Sequence, residues 1–281
     1  MSELSLMTFP LNVDIATKSM TVRDSLQMAA DCGIAYVDVM RVKRKNIPIY
    51  REAMTATGTK VYCYISYNSF LAKAAVIRET LRQDLKIASE LGAKLMMIVP
   101  YLPFMDERRL VRLDRTTVLN KMVDGFSAAV EESNSFGISV CFEITPHEFT
   151  HLSGTEDCQY VLDHVPGLGL VFDTANMLPH GDSPLEAYEA LKKYVVHVHL
   201  KDVALSEAKF SLLPCEHTVD GKRMQNAVFG EGVIPVKELY DRMRKDGYTG
   251  VFAIEYAHPG GRCDLQKNEA QLRKHLLHLN G

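Results

Sequence analysis

Residues 195–202 read Val-Val-His-Val-His-Leu-Lys-Asp, a short apolar run of β-branched residues with histidines at alternate positions. Side chains at i and i+2 of a strand share a face. His197 and His199 therefore point together, while Val196, Val198 and Leu200 point the other way. Two imidazoles on one face of a buried strand must each find a partner or stay neutral at a cost. Taken alone, the segment would be satisfied by one hydrogen-bonded core histidine and one surface histidine. A functional reading gains weight from the setting, because strand ends carrying an acid recur upstream at Glu143 and Asp173 and downstream at Glu255.

Outward from this stretch, strands and helices alternate. Residues 4–15 read as a strand running into a loop. Thr21 opens a helix through Val22, Leu26, Ala29 and Ala30 that stops at Gly33. Strands follow at 36–40, 60–65 and 95–99, and helices at 48–57 and 71–91, closed by Gly58 and Gly92. The second half repeats the pattern, with strands at 139–143, 168–172, 195–200 and 251–254. Its helices are expected at 116–136, 155–164, 184–194, 235–245 and 268–279. Strict alternation argues for a parallel sheet, and eight units in about 250 residues is the arithmetic of a (β/α)8 TIM barrel. The whole chain, 1–281, reads as one such domain. A doubly wound open sheet is the alternative, and the lack of a Gly-x-Gly-x-x-Gly turn after the first strand speaks against it. The longest irregular segment is 203–234, and a loop of that length in a compact domain is usually functional.

Bulk properties narrow the classes. The 281 residues are 47% hydrophobic and 24% charged, an ordinary globular balance. A net charge of −3 leaves no basic footprint for nucleic acid or anionic membrane. Six cysteines, at 32, 63, 141, 158, 215 and 263, form no Cys-x-x-Cys pair and read as buried free thiols. Residues 1–10 lack a signal peptide's basic flank and apolar run, and no run of about 18 apolar residues exists to span a membrane. A reducing cytoplasm is the expected compartment.

Barrel enzymes carry their active residues at the C-terminal ends of strands. Strand five ends in Cys-Phe-Glu143, and strand six runs into Phe-Asp173-Thr-Ala-Asn176. Strand seven carries His197 and His199, and strand eight ends in Ala-Ile-Glu255. Any one of these acids could cap a helix or pair with an arginine. All on one rim, three carboxylates would repel and raise each other's pKa, which a divalent cation resolves. One neutral imidazole with three carboxylates suits Mn2+ first, and also Mg2+, Co2+ or Fe2+, better than a structural zinc site, which prefers thiolates.

The chain resembles the xylose isomerase-like barrels, a family that includes sugar isomerases and epimerases, inosose isomerases and dehydratases, and metal-dependent apurinic endonucleases. The resemblance covers nearly the whole chain and is strongest at 140–143, 170–176, 195–202, 229–235 and 253–255. It implies one metal held by Glu143, Asp173, His199 and Glu255, with His197 as a neighbour, placed near the substrate. The endonuclease branch is disfavoured, because neither its basic balance nor its extra histidines are present. The resemblance implies proton transfer beside a carbonyl, with the metal polarising that carbonyl. Glu143 and Glu255 would move the proton from opposite faces.

Two departures weaken a simple ketose 3-epimerase reading. Asn176 stands where several epimerases have a substrate-binding histidine, and the Arg-x-Pro-Gly-x-Gly turn after strand seven is missing. Gly230-Glu231-Gly232 takes the end of that turn, with Lys222 and Arg223 upstream. His147, four residues beyond Glu143, is either a surface histidine or a general base of near-neutral pKa. Asn176, His197 and Lys201 are expected at the substrate, and Asp202 orients His199 or caps a loop. Tyr62, Tyr64, Tyr67, Phe70 and Phe104 wall a pocket or pack in the core.

Three functions follow. The first is a metal-dependent sugar or polyol isomerase or epimerase. The second is a metal-dependent lyase with His147 as base, acting on a keto-polyol or on a 3-oxo-glycoside. The third is a non-catalytic sugar-binding barrel. The partner expected is a small carbohydrate or glycoside, not nucleic acid or membrane. The assembly expected is a homo-oligomer, or a hetero-oligomer with a small β-sandwich subunit if the chain is a C-glycoside lyase.

Overall fold

The computed structural model describes residues 4–11, 15–16, 20–100, 114–145, 154–207, 217–256 and 264–281. Eight of its strands are β1 (Leu4–Met7), β2 (Tyr36–Met40), β3 (Lys60–Asn68), β4 (Leu95–Pro100), β5 (Ser139–Glu143), β6 (Gly169–Asp173), β7 (Val195–Leu200) and β10 (Phe252–Ile254). They close a parallel barrel in the order β1-β10-β7-β6-β5-β4-β3-β2. Closure is made by β1, whose Ser5 pairs with both Ala253 of β10 and Tyr36 of β2. Between the strands run α1 (Val22–Asp31), α2 (Ile47–Thr57), α3 (Ala74–Glu90), α4 (Arg115–Ser133), α5 (Thr155–His164), α6 (Pro184–Leu191) and α7 (Val236–Lys245). After the last strand comes α8 (Leu265–Asn280). No described helix is long and apolar enough to cross a membrane.

Local chemistry explains these boundaries. Thr21 and Asp24 form a reciprocal capping box at the start of α1. Asp114 and Asp264 cap α4 and α8 by accepting the N–H groups of Thr117 and Lys267. Gly58 ends α2 with a left-handed φ of 74°, which a side chain would resist. The strand β3 runs three residues past the expected Ile65, because Ser66, Tyr67 and Asn68 pair with Ile98, Val99 and Pro100. Helix α3 starts later than expected, at Ala74, since Phe70 turns inward onto Phe126 of α4.

The alternation of each strand divides the apolar residues between two cores. Val198, Leu200, Phe252 and Ile254 face outward into the large layer between barrel and helices. Met7, Cys63, Ile65, Leu95, Met97, Cys141 and Val171 form a smaller cluster inside the barrel. Among the described residues, Cys32, Cys63 and Cys141 are free thiols.

The segment 203–234, expected to be irregular, carries an antiparallel hairpin of β8 (Asp202–Ser206) and β9 (Arg223–Ala227). Its base is organised by Asp202, which is 1% exposed. One carboxylate oxygen accepts the N–H groups of Gly230 (2.9 Å) and Gly232 (3.0 Å). The other accepts those of Ile234 (3.0 Å) and Val203 (2.8 Å). A Cβ on Gly232 would lie 2.1 Å from Asp202 Oδ1 and 2.5 Å from the Val203 carbonyl oxygen, so only glycine fits there. Asp202 thus caps the loop and does not reach His199.

Replacing Asp202 leaves the buried N–H groups of Val203 and Ile234 without an acceptor, at about 1–3 kcal/mol each, and frees the less buried ones of Gly230 and Gly232. Asp202→Ala should therefore lower the urea-unfolding stability by about 3 kcal/mol or more, and Asp202→Asn by less, because its carbonyl still accepts. An unchanged unfolding midpoint in Asp202→Ala would show that other groups satisfy this loop.

Candidate metal centre

Four neighbouring strands bring one chelating side chain each to the C-terminal mouth of the barrel. Glu143 is the last residue of β5, Asp173 the last of β6, and His199 sits one before the end of β7. Glu255 follows β10, its N–H tied to the Leu200 carbonyl at 2.9 Å. His199 Nδ1 lies 2.5 Å from Glu143 Oε1 and 3.3 Å from Glu255 Oε2. One ligand atom from each of the four falls within 4.8 Å of the others.

Asp173 has one oxygen committed and one open. Its Oδ1 accepts the N–H groups of Ala175 (2.7 Å) and Asn176 (2.8 Å), a tight turn that holds the carboxylate still. Its Oδ2 is buried without a hydrogen-bond partner, and so is Glu255 Oε2. Buried carboxylate oxygens left unpaired are costly. Together with the imidazole they make a donor set of three carboxylates and one nitrogen, which fits an oxygen-preferring divalent ion.

Electrostatics express the same crowding. Burial pushes the Asp173 carboxyl up; Lys201 pulls it down, and the Glu255 and Glu143 charges push it up again, leaving it at about 8. Burial also works against the Glu255 anion, but Lys201 and His199 overcome it and hold the group at about 2. Burial opposes a charge on His199, yet Glu143, Asp38 and Glu255 raise it well above the usual histidine range.

Lys201 enters from just beyond β7. Its Nζ is 3.0 Å from Glu255 Oε1, 3.1 Å from Asn176 Oδ1 and 4.0 Å from Asp173 Oδ2. Its backbone is fixed by mutual bonds with the Thr174 hydroxyl, 2.8 Å each way. Asn176, expected at the substrate, is 3% exposed. Its amide nitrogen donates to the Ile144 carbonyl at 3.0 Å and its oxygen receives Lys201, so as placed it aims the lysine.

His197, also expected at the substrate, sits one step deeper on β7 with no exposure. Its Nδ1 lies 3.0 Å from the Val251 carbonyl oxygen and its Nε2 lies 2.6 Å from Asp38 Oδ2. Both nitrogens face protein acceptors, which leaves none for a substrate. Asp38 itself, on β2, escaped the sequence reading. The available signal was an acid between two valines in the middle of an apolar strand.

The expected aromatic wall divides. Tyr64 and Phe70 are buried in the outer layer. Tyr62 lies inside the barrel, 5.1 Å from the His197 ring. Tyr67 stays near the acids, whose charges help raise its hydroxyl pKa after burial, and Arg41 stacks over its ring at 5.3 Å. His180 and His217 are exposed and belong to neither acid–imidazole group, and Lys222 pairs with Asp220 on the hairpin. His147 and Phe104 lie outside the described residues.

A family model described as "Xylose isomerase-like TIM barrel" matches residues 26–280. Inosose dehydratase 1 of Bacillus cereus is 28% identical over 150 residues, covering 48% of this chain and 46% of that protein. An inosose dehydratase of Lacticaseibacillus casei is 23% identical over 112 residues, covering 39% of this chain and 37% of the relative. The match thus spans less than half the length of these curated relatives. Among solved structures, an IolI protein with a bound zinc atom superposes with a TM-score of 0.76 at 14% identity, covering 99% of this chain and 97% of the other. The probable 3-DHS dehydratase AsbF of Bacillus anthracis gives a TM-score of 0.73 at 15% identity, covering 96% and 98%.

The charge balance around Lys201 can be tested without any metal. In Lys201→Met the attraction that lowers both carboxyls is gone, so Asp173 and Glu255 should both titrate at higher pH. Carbon-detected NMR of the metal-free protein reads this directly. Unchanged titrations would mean that Lys201 does not face these acids in solution.

Proposed function

The chain belongs to the xylose isomerase-like TIM barrel family, and we propose that it is a divalent-metal-dependent dehydratase of a keto-sugar or keto-polyol. The observation that carries this reading is the convergence of Glu143, Asp173, His199 and Glu255 within 4.8 Å, with Lys201 against it. The names of the relatives favour dehydration over the isomerisation that the sequence reading put first.

Bound among these four side chains, a divalent ion such as Mn2+ would supply Lewis acidity to a substrate carbonyl oxygen. Glu255, an anion with one oxygen beside Lys201, takes the proton from the carbon next to the carbonyl. The freed electron pair forms the enolate, then re-forms the carbonyl with a new carbon–carbon double bond as the β-hydroxyl departs. Lys201 Nζ, 3.0 Å from Glu255 Oε1, gives its proton to that hydroxyl and recovers one from Glu255. The substrate divides into an enone and water, and the protein returns to its starting state.

A second reading keeps the same first step. Glu143 and Glu255 both reach His199 Nδ1, so a proton taken by one and returned by the other would isomerise or epimerise the substrate. The deciding experiment incubates the metal-loaded protein with a keto-inositol in deuterated water. Enone absorbance and loss of one water support dehydration. An isomeric ketone carrying deuterium supports the second reading. No turnover of any keto-sugar or keto-polyol by protein with its metal bound would move the non-catalytic binding reading to the front.

Two further outcomes test the metal assignment. Elemental analysis should find about one equivalent of divalent metal in the purified protein and little in Glu255→Ala; full occupancy in the variant would overturn the ligand set. The Asp173 carboxyl, held at about 8, carries a proton at neutral pH and must lose it to bind metal. His199, raised well above the usual histidine range, must lose a proton as well, so metal binding should release protons and tighten as pH rises from 6 through 8 and beyond. Calorimetric titrations in buffers of different ionisation enthalpy check the sign.

A further inference from the structure

Beneath the acids lies a second buried group, Asp38, His197 and His199, whose nitrogen and oxygen atoms also gather within 4.8 Å. Asp38 has no exposure and is held from three sides. Its Oδ1 accepts the Ser5 hydroxyl at 2.7 Å, and its backbone carbonyl accepts both the N–H and the hydroxyl of Thr8 at 2.9 and 2.8 Å. Its Oδ2 faces His197 Nε2 at 2.6 Å. The same Oδ2 lies 3.5 Å from His199 Nε2. That nitrogen is buried and has no hydrogen-bond partner. The two imidazoles stand nearly perpendicular, 84° apart with centroids 5.2 Å from each other, so both present Nε2 to the one carboxylate.

A bare lone pair on His199 Nε2 would repel a carboxylate oxygen at this distance, whereas an N–H there is attracted to it. Nδ1 also meets carboxylates, at 2.5 and 3.3 Å, so it is a metal ion held among the acids that would take its lone pair; with that site filled, the single hydrogen of neutral His199 belongs on Nε2. Nδ1 is the atom that faces Glu143 and Glu255. From this geometry we infer that Asp38 is a positioning residue for the metal centre. It keeps the hydrogen of His199 on Nε2, fixes the ring plane, and aims the Nδ1 lone pair at the space between the acids. His197 and Ser5 pin Asp38 in turn. Carboxylates behind metal-bound histidines act this way in general, and their loss typically lowers metal affinity 10–100-fold. The inference rests on the metal reading of the four rim side chains and adds a fifth residue that touches neither metal nor substrate.

Zinc serves as the probe because it is diamagnetic. In the Zn2+-loaded wild type, with histidines labelled by 15N, His199 should be coordinated through Nδ1 and should show an Nε2–H proton shifted downfield. Asp38→Asn should bind Zn2+ about 10–100-fold more weakly in competition with a chromophoric chelator, and its His199 Nε2–H proton should move upfield. A merely structural role for Asp38 would not move that proton. Coordination of wild-type His199 through Nε2 overturns the inference, and this measurement decides the matter even if the variant does not fold. A folded Asp38→Asn with unchanged affinity and an unmoved proton overturns it as well, and leaves the metal reading standing. A wild-type protein that binds no Zn2+ overturns both.

Discussion

Three largely buried carboxylates and a buried imidazole crowd one space, and the rest of this structure is arranged around that conflict. Like charges at such spacing cannot all persist in a low dielectric without compensation. The protein supplies part of it. Lys201 leans on Glu255 and Asp173, His199 sits between two glutamates, and Asp173 is pushed towards its neutral form. What is left over is an open oxygen on Asp173 and another on Glu255. Such a remainder is what a divalent cation neutralises, which is why the site reads as a metal centre rather than as a set of helix caps.

The barrel makes this conflict sustainable by holding its participants rigidly. Each acid stands at the end of a strand whose neighbours are hydrogen-bonded on both sides, and Asp173 is further tied by the N–H groups of the turn that follows it. Below the acids, the layer of Asp38, His197 and Ser5 is polar but internally satisfied at its closest contacts. Beside this layer, methionine, cysteine and aliphatic side chains fill the barrel, Met7 and Cys63 in register with Asp38 and Val171 with His197. The charged mouth thus rests on a layer in which hydrogen-bonded polar groups and apolar side chains stand side by side.

Much of this was legible in the chain, for reasons that differ from residue to residue. The bounds of β2, β5 and β7 coincide with the sequence reading because each is a short, largely apolar run with a polar residue at or just past its end. Glu143, Asp173, His199 and Glu255 stood out because acids and histidines at strand ends are conspicuous against apolar strands. Asp38 did not, since an acid in mid-strand carries no local sign of which side it faces or what waits there. Its partners Ser5 and His197 are 33 and 159 positions away. The hairpin of β8 and β9 was hidden in the same way. Its strands are short and mix polar with apolar residues without a clear alternation, and Asp202 organises their base through N–H groups 28 to 32 residues downstream.

By itself the sequence determined the eightfold alternation, the closed parallel barrel and the identity of the rim acids, because periodicity, caps and strand-end residue types are local properties. Only the tertiary structure decided which nitrogen of His199 faces the acids, that His197 turns its ring to Asp38 and a backbone carbonyl, and that Asn176 aims Lys201. Those outcomes depend on distances between strands far apart in the chain. Such distances are set by barrel closure and side-chain packing, and no local pattern of residues encodes them.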